Sequence, residues 1–125
     1  MISQNEKPLI LVAEDVESNY LLVSTILRND YELVHAWNGV EAVELFKQNR
    51  PSIVLMDMKM PEMDGLEATR LIRQSDKDTP IVAVTAFAFD QDKQRTLEAG
   101  CNDYITKPII IKQLRDTIKK WLARV

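Results

Sequence analysis

The sequence predicts an α/β fold: a parallel sheet of five strands covered by helices on both faces. Two observations predict it. Short apolar runs alternate with longer stretches of helical periodicity along the whole chain. Two of those runs, Ile53-Val54-Leu55-Met56 and Ile81-Val82-Ala83-Val84-Thr85, lack polar alternation, as strands buried on both faces do.

Leu9 to Ala13 reads as strand one, and Asp15 is placed to cap the helix that follows, where Tyr20, Val23, Ile26 and Leu27 recur at helical spacing. Asn29-Asp30 breaks that helix. Tyr31 to Trp37 is a β-prone strand two, and Asn38-Gly39 is a turn signal. Val40, Val43, Leu45 and Phe46 belong to helix two, which stops before Pro51. Strand three is Ile53 to Met56. Pro61 and Gly65 bracket a loop, and helix three begins over Leu66 to Ile72. Ser75 to Asp78 is a polar connector, and Pro80 opens strand four, Ile81 to Thr85. Asp90 to Ala99 is the weakest helix, polar in its first turns, with Leu97 and Ala99 as its apolar anchors and Gly100 as its stop. So few anchors predict a loosely held element. Tyr104 to Thr106 is a short strand five. Ile109, Ile110, Ile111, Leu114, Ile118, Trp121 and Leu122 mark a strongly amphipathic last helix.

The chain has 125 residues, the size of one domain with a single core. The reading is one domain over 1–125, with its core at about 8–123 and a tail at 1–7. Charged residues make up 28% and the formal charge is −3, so the bulk basic field of a nucleic-acid binder is missing. No stretch approaches the roughly 20 apolar residues of a membrane span. The N-terminus lacks the pattern of a secretory signal. A lone cysteine, Cys101, permits no internal disulfide and fits a reducing compartment. The expectation is a cytoplasmic domain, or the cytosolic part of a membrane-anchored protein.

Right-handed crossovers leave few topologies for such a sheet. The flavodoxin-like strand order 2-1-3-4-5 puts its switch point between strands one and three. Glu14-Asp15 follows strand one and Asp57 follows the apolar run of strand three, so three carboxylates converge on one lip of the sheet. Thr85 and Lys107 end strands four and five at the same lip. Crowded carboxylates repel and raise one another's pKa. A hard cation such as Mg²⁺ relieves that repulsion, because it takes oxygen ligands and keeps waters that a phosphate can replace. Each residue alone has a plainer reading: Asp57 as a turn or cap residue, Glu14-Asp15 as acids at a helix start, Thr85 as a strand residue, Lys107 as a solvated charge. Their joint placement at the ends of four strands favours the site.

Glu14-Asp15, Asp57 within Met56-Asp57-Met58-Lys59-Met60-Pro61-Glu62-Met63-Asp64-Gly65, Thr85-Ala86 and Lys107-Pro108 together resemble the signature of the response-regulator receiver domain of two-component signalling. The match runs in order from about Leu9 to Leu122. The resemblance implies that Asp57 accepts a phosphoryl group from a phosphohistidine, giving a mixed anhydride. It implies Mg²⁺, with Mn²⁺ as a substitute, held by Asp15, Asp57, Glu14 and the backbone carbonyl of Lys59. Lys107 would pair with a phosphoryl oxygen, Thr85 would donate its hydroxyl to another, and the Lys107-Pro108 bond would be cis. It further implies a switch in which Thr85 moves and Tyr104 changes rotamer, read out on the face of helix four, strand five and helix five. Lys59 and Phe87 would tune the lifetime of the acyl phosphate. Glu14 stands where the family carries either acid, and its extra methylene repositions a ligand or bridging water.

Asn19, the loop around Asp57 and Val84-Thr85-Ala86 look most like receivers fused to hybrid sensor histidine kinases. The implied partners are a histidine kinase or a histidine phosphotransfer domain, with no nucleic acid or membrane contacted by this domain. A stand-alone response regulator is the alternative. Such a chain catalyses only its own phosphorylation and dephosphorylation. Two other classes compete: a phosphatase of the haloacid dehalogenase type, which puts a general acid where Lys59 stands, and a flavodoxin-like binding module, which needs a phosphate-cradling loop where Glu14-Asp15-Val16-Glu17 is acidic. Of the remaining conspicuous residues, His35 reads as a structural or solvated strand residue and Cys101 as a small buried one. Asn19 lies on a solvated helix face or touches the phosphotransfer partner. Phe87-Ala88-Phe89 is core or an exposed apolar patch. Met56, Met58, Met60 and Met63 fill gaps around the loop.

Overall fold

Ten elements alternate along the chain: β1 (Leu9–Ala13), α1 (Glu17–Leu27), β2 (Glu32–Ala36), α2 (Gly39–Asn49), β3 (Ile53–Asp57), α3 (Gly65–Arg73), β4 (Ile81–Thr85), α4 (Asp90–Ala99), β5 (Asp103–Thr106) and α5 (Ile111–Leu122). The structure is a computed structural model that describes residues 7–86 and 90–123, the side chains of 90 and 91 excepted. The Phe87-Ala88-Phe89 segment, and with it the role expected of Phe87, lies outside the described residues.

All strand pairings are parallel, in the order β2-β1-β3-β4-β5. The predicted fold is therefore the observed one. β3 and β4 are buried at every position, which is why their sequences are unbroken apolar runs. Alternate strand residues feed two cores. Leu11, Ala13, Val54, Met56, Ile81 and Ala83 meet α2 and α3 through Ala42, Phe46, Ala68 and Ile72. Ile10, Val12, Ile53, Leu55, Val82, Val84 and Ile105 meet α1 and α5 through Val23, Ile26, Leu27, Leu114 and Ile118. A period of two along each strand thus becomes helices on both faces of the sheet.

The helix starts are built locally. Asn38 Oδ1 accepts from the Glu41 amide at 2.8 Å while Glu41 Oε1 accepts from the Trp37 amide at 2.9 Å, a reciprocal arrangement that fixes the first turn of α2. Asp64 Oδ1 accepts from the Glu67 amide at 2.9 Å and caps α3. The first helix departs from expectation. Its N-cap is Val16, with no side-chain cap, and Asp15 lies one residue too early to serve. The carboxylate that takes the Val16 amide is Glu14, through Oε2 at 3.1 Å.

Two apolar assignments also change. Leu97 is 46% exposed, and α4 is anchored by Ala99 with Thr96, both buried, the latter closing its hydroxyl onto the Lys93 carbonyl at 2.7 Å. At the last helix Ile109 packs on the core, but Ile110 is the N-cap, outside the helical period, and is 60% exposed; the buried stripe starts at Leu114. The methionines behave as read: Met56 and Met60 are buried in one core, and Met58 and Met63, partly buried, pack against that core.

The far end of α4 is tied down. Arg73 of α3 donates through Nε to the Gly100 carbonyl at 2.9 Å and through Nη2 to Asn102 Oδ1 at 2.8 Å, and Asn102 Oδ1 also accepts from the Ile81 amide. Gly100 has φ +116°, and a Cβ there would press on the Arg73 side chain. Cys101 beside it is buried, its thiol 3.7 Å from Thr69 Oγ1, and burial pushes its pKa up to about 11.

Candidate functional site

The C-terminal ends of β1, β3, β4 and β5 bring Glu14, Asp15, Asp57, Thr85 and Lys107 to one lip of the sheet. Asp57 is the last residue of β3, and its register partner Val84 precedes Thr85. Glu14 and Asp57 are each 4% exposed and Thr85 7%, so the acids sit in a largely dehydrated seat. Carboxylate oxygens of Glu14, Asp15 and Asp57 lie within 4.8 Å of one another.

Lys107 enters from the end of β5. Its amide donates to the Thr85 carbonyl at 2.7 Å, and the following peptide bond to Pro108 is cis, as the resemblance implies. Its ammonium lies 3.0 Å from Asp57 Oδ2 and 3.5 Å from Glu14 Oε1. The other Asp57 oxygen, Oδ1, accepts from the Lys59 amide at 3.0 Å. Both oxygens of Asp57 therefore have donors, and the carboxylate is held in one orientation.

Electrostatics follow from this crowding. Burial, then the hydrogen bond and charge of Asp57, push Glu14 up to about 7, against the opposing pull of the Val16 amide and Lys107. Burial alone would lower Lys107, but the hydrogen bond and charge of Asp57 and the charge of Glu14 outweigh it, and its pKa is raised. Three carboxylates facing one ammonium leave an excess of negative charge. The donor set is all oxygen, which suits a hard divalent cation and not a soft one.

Asp15 and Asp57 open onto a cavity of about 460 Å³ lined also by Lys59, Thr85 and Lys107 and, from α4, by Asp92, Arg95 and Thr96. The expected site residues thus come together. Tyr104 is set apart on β5, half-buried against the core, with the Lys93 ammonium of α4 4.9 Å above its ring.

Sequence reading missed three residues at the site. Asp92, Arg95 and Thr96 recur at helical spacing and so share one face of α4, a pattern hidden by the polar character of the whole segment. His35 is also part of the surroundings: its Nε2 lies 2.8 Å from the Glu14 carbonyl. Its one available signal was its place in strand two, the strand next to β1.

Comparison with known proteins agrees with this fold. The response regulator receiver domain family matches residues 10–119, and the chain belongs to that family: it is a receiver domain, a phosphoacceptor module of two-component signalling. It is 38% identical over 117 residues to the polar-differentiation response regulator DivK of Brucella anthropi, covering 91% of this chain and 95% of DivK. It superposes with a TM-score of 0.88 and 33% identity on the receiver domain of the sensor histidine kinase PA1611 from Pseudomonas aeruginosa, whose active-site cleft coordinates a magnesium ion, covering 94% of this chain and 98% of that one. It also superposes, with a TM-score of 0.89 and 32% identity over 94% of this chain and 90% of the other, on a chain of the Saccharomyces cerevisiae co-crystal of the histidine phosphotransfer protein Ypd1 with the receiver domain of Ssk1. No helix among the described residues is long and apolar enough to cross a membrane.

Proposed function

We propose that Asp57 is the phosphoacceptor and takes its phosphoryl group from a phosphohistidine. The observation that carries this is the two-sided fixing of Asp57, by the Lys59 amide at 3.0 Å and the Lys107 ammonium at 3.0 Å, at the mouth of a cavity. In the transfer the phosphorus–nitrogen bond of the donor breaks and a phosphorus–oxygen bond to the Asp57 carboxylate forms. Such transfer demands alignment and charge neutralisation more than covalent chemistry from the protein. Lys107 shifts its ammonium from the two carboxylates to a phosphoryl oxygen, and Thr85, at the cavity wall, donates its hydroxyl to another.

Glu14, Asp15 and Asp57, with the carbonyl of Lys59, would hold Mg²⁺, and Mn²⁺ would substitute. The fit rests on the clustered oxygens of these acids; burial first, then the hydrogen bond and charge of Asp57, raise the Glu14 pKa, a penalty on its ionised form that a cation would relieve. Bound there, it would supply positive charge to offset that of the phosphoryl oxygens. The magnesium-bearing relative PA1611 supports this reading.

The output follows from Thr85 and Tyr104. A hydroxyl drawn toward the phosphoryl group frees space beside β5, and Tyr104 with its Lys93 contact changes place, altering the face of α4, β5 and α5. Lys59, exposed at the mouth, and Phe87 tune how water reaches the acyl phosphate. The donor is a histidine kinase or a histidine phosphotransfer protein. Val16 and Ile110, apolar yet 44% and 60% exposed on chain segments just beyond the strand ends, suit such a docking partner, and the Ypd1 co-crystal supports the phosphotransfer class.

The decisive experiment incubates the protein with a small-molecule phosphodonor and Mg²⁺ and reads intact mass. One added phosphoryl, labile to hydroxylamine and missing in Asp57→Ala, is expected. An unchanged mass in the parent, or an equal gain in Asp57→Ala, overturns the assignment. The sequence pattern favours origin in a hybrid sensor histidine kinase. The identity to DivK favours a stand-alone regulator. An immunoblot of native cells separates the two: a band near 14.4 kDa marks the stand-alone form, a much larger one the hybrid.

A further inference from the structure

The edge strand β2 contributes nothing to the acidic lip by its own charge, yet it holds the segment that does. The Glu14 amide donates to the Ala36 carbonyl at 2.9 Å, and the Glu14 carbonyl lies 2.8 Å from His35 Nε2. A carbonyl only accepts, so Nε2 carries the proton of this bond. The imidazole is itself held in place. Tyr20 of α1 stacks on it with ring centroids 3.7 Å apart and planes 1° from parallel, and Trp37 lies against it at 4.2 Å and 41°.

The Glu14 carbonyl belongs to the peptide plane that joins Glu14 to Asp15. An uncompensated change in either dihedral flanking that plane, ψ of Glu14 or φ of Asp15, would swing the two carboxylates relative to each other. The Glu14 amide ties the preceding peptide plane to Ala36 and the Glu14 carbonyl ties this one to His35, so both planes that flank the Glu14 α-carbon are held. The buried Glu14 side chain, tied to the Val16 amide at 3.1 Å, then points toward Asp57, and Asp15 follows to the cavity.

We infer that His35 is a positioning residue for the Glu14–Asp15 pair: it sets the peptide joining two carboxylates of the cation seat, and the Tyr20–His35–Trp37 stack keeps its ring in place. The inference rests on the reading of Glu14, Asp15 and Asp57 as that seat. Groups that orient metal ligands without touching the metal commonly change affinity by about 10- to 100-fold when removed.

The test is calorimetric titration of the whole chain with Mg²⁺, alongside a thermal melt. His35→Leu, which keeps bulk and loses the donor, is expected to weaken Mg²⁺ about tenfold. His35→Gln, whose amide supplies an N–H at comparable reach, is expected to restore most of that loss. Tyr20→Leu, which leaves the donor but unstacks it, is expected to fall between. Equal affinity in His35→Leu and parent overturns the inference while leaving the seat intact. So does a loss of equal size in His35→Leu and His35→Gln that tracks their melting temperatures, because a purely structural role moves both together. A parent that releases no heat with Mg²⁺, where Asp15→Asn behaves identically, overturns the seat itself and the positioning role with it.

Discussion

Gly65 is packed against the main-chain oxygen of Asp57 so closely that a β-carbon there would collide with it and with Met58. No positive φ is involved; the glycine is required for space. Its amide reaches back to the Met58 carbonyl at 3.1 Å and closes the loop that begins at Asp57. The start of α3 therefore braces the end of β3.

Gly65→Ala follows directly. The added methyl must displace backbone, so the variant is expected to lose about 2 kcal/mol of stability and to push Asp57 off its two donors. Phosphorylation by a small-molecule donor should slow well beyond what the stability loss explains. A parent-like rate, measured below the melting temperature, would show that Asp57 tolerates the shift.

Lys107→Met separates two effects of one ammonium. Without it the carboxylates lose a competing cation, so Mg²⁺ should bind more tightly in calorimetry. At saturating Mg²⁺ the phosphorylation rate should nonetheless fall, by about tenfold or more, because a group aimed at the developing charge has gone. Weaker Mg²⁺ binding in the variant would contradict the geometry in which Lys107 neutralises Glu14 and Asp57.

Glu14 makes stability depend on pH in a defined direction. In the unfolded chain its carboxyl ionises near its ordinary value of 4.5, and in the folded chain it keeps its proton up to about 7. The folded state then binds the extra proton, so its stability is greatest below the lower value and falls as pH rises between the two. The loss amounts to roughly 3 kcal/mol at most. Urea midpoints in EDTA should decline across about pH 5 to 7 and level off above. Saturating Mg²⁺ should flatten the decline, and so should Glu14→Gln. A midpoint that rises over this window would reverse the assigned shift.

Arg73→Met removes the hydrogen bonds to Gly100 and Asn102, so the Gly100 carbonyl loses the Arg73 donor while Asn102 Oδ1 keeps the Ile81 amide. A loss of about 2–3 kcal/mol is expected, with faster amide exchange at the C-terminal end of α4 and Mg²⁺ affinity unchanged. Exchange confined to other elements would refute the tie between α3 and α4.

How far the sequence could be read depended on whether a residue's role is local. β3 and β4 were plain because burial on both faces removes polar alternation, and Asp57 was plain because it ends such a run. Thr85 and Lys107 followed once strand order was known. Misreadings arose where several groups compete for one job. Asp15 resembles a helix cap, but Glu14 takes the Val16 amide first. Leu97 resembles an anchor, but the buried face of α4 runs through Thr96 and Ala99. His35 shows little beyond its place in strand two, because its partner is a main-chain oxygen twenty-one residues away, just past the end of β1.

Glu14 and Lys107, 3.5 Å apart in space, are separated by most of the chain, and neither meets Asp57 until β1, β3, β4 and β5 are paired in register. A nascent or misfolded polypeptide has every ingredient and no receptacle. Only completed molecules can carry the message, so the circuit screens its own components for quality without a separate inspector.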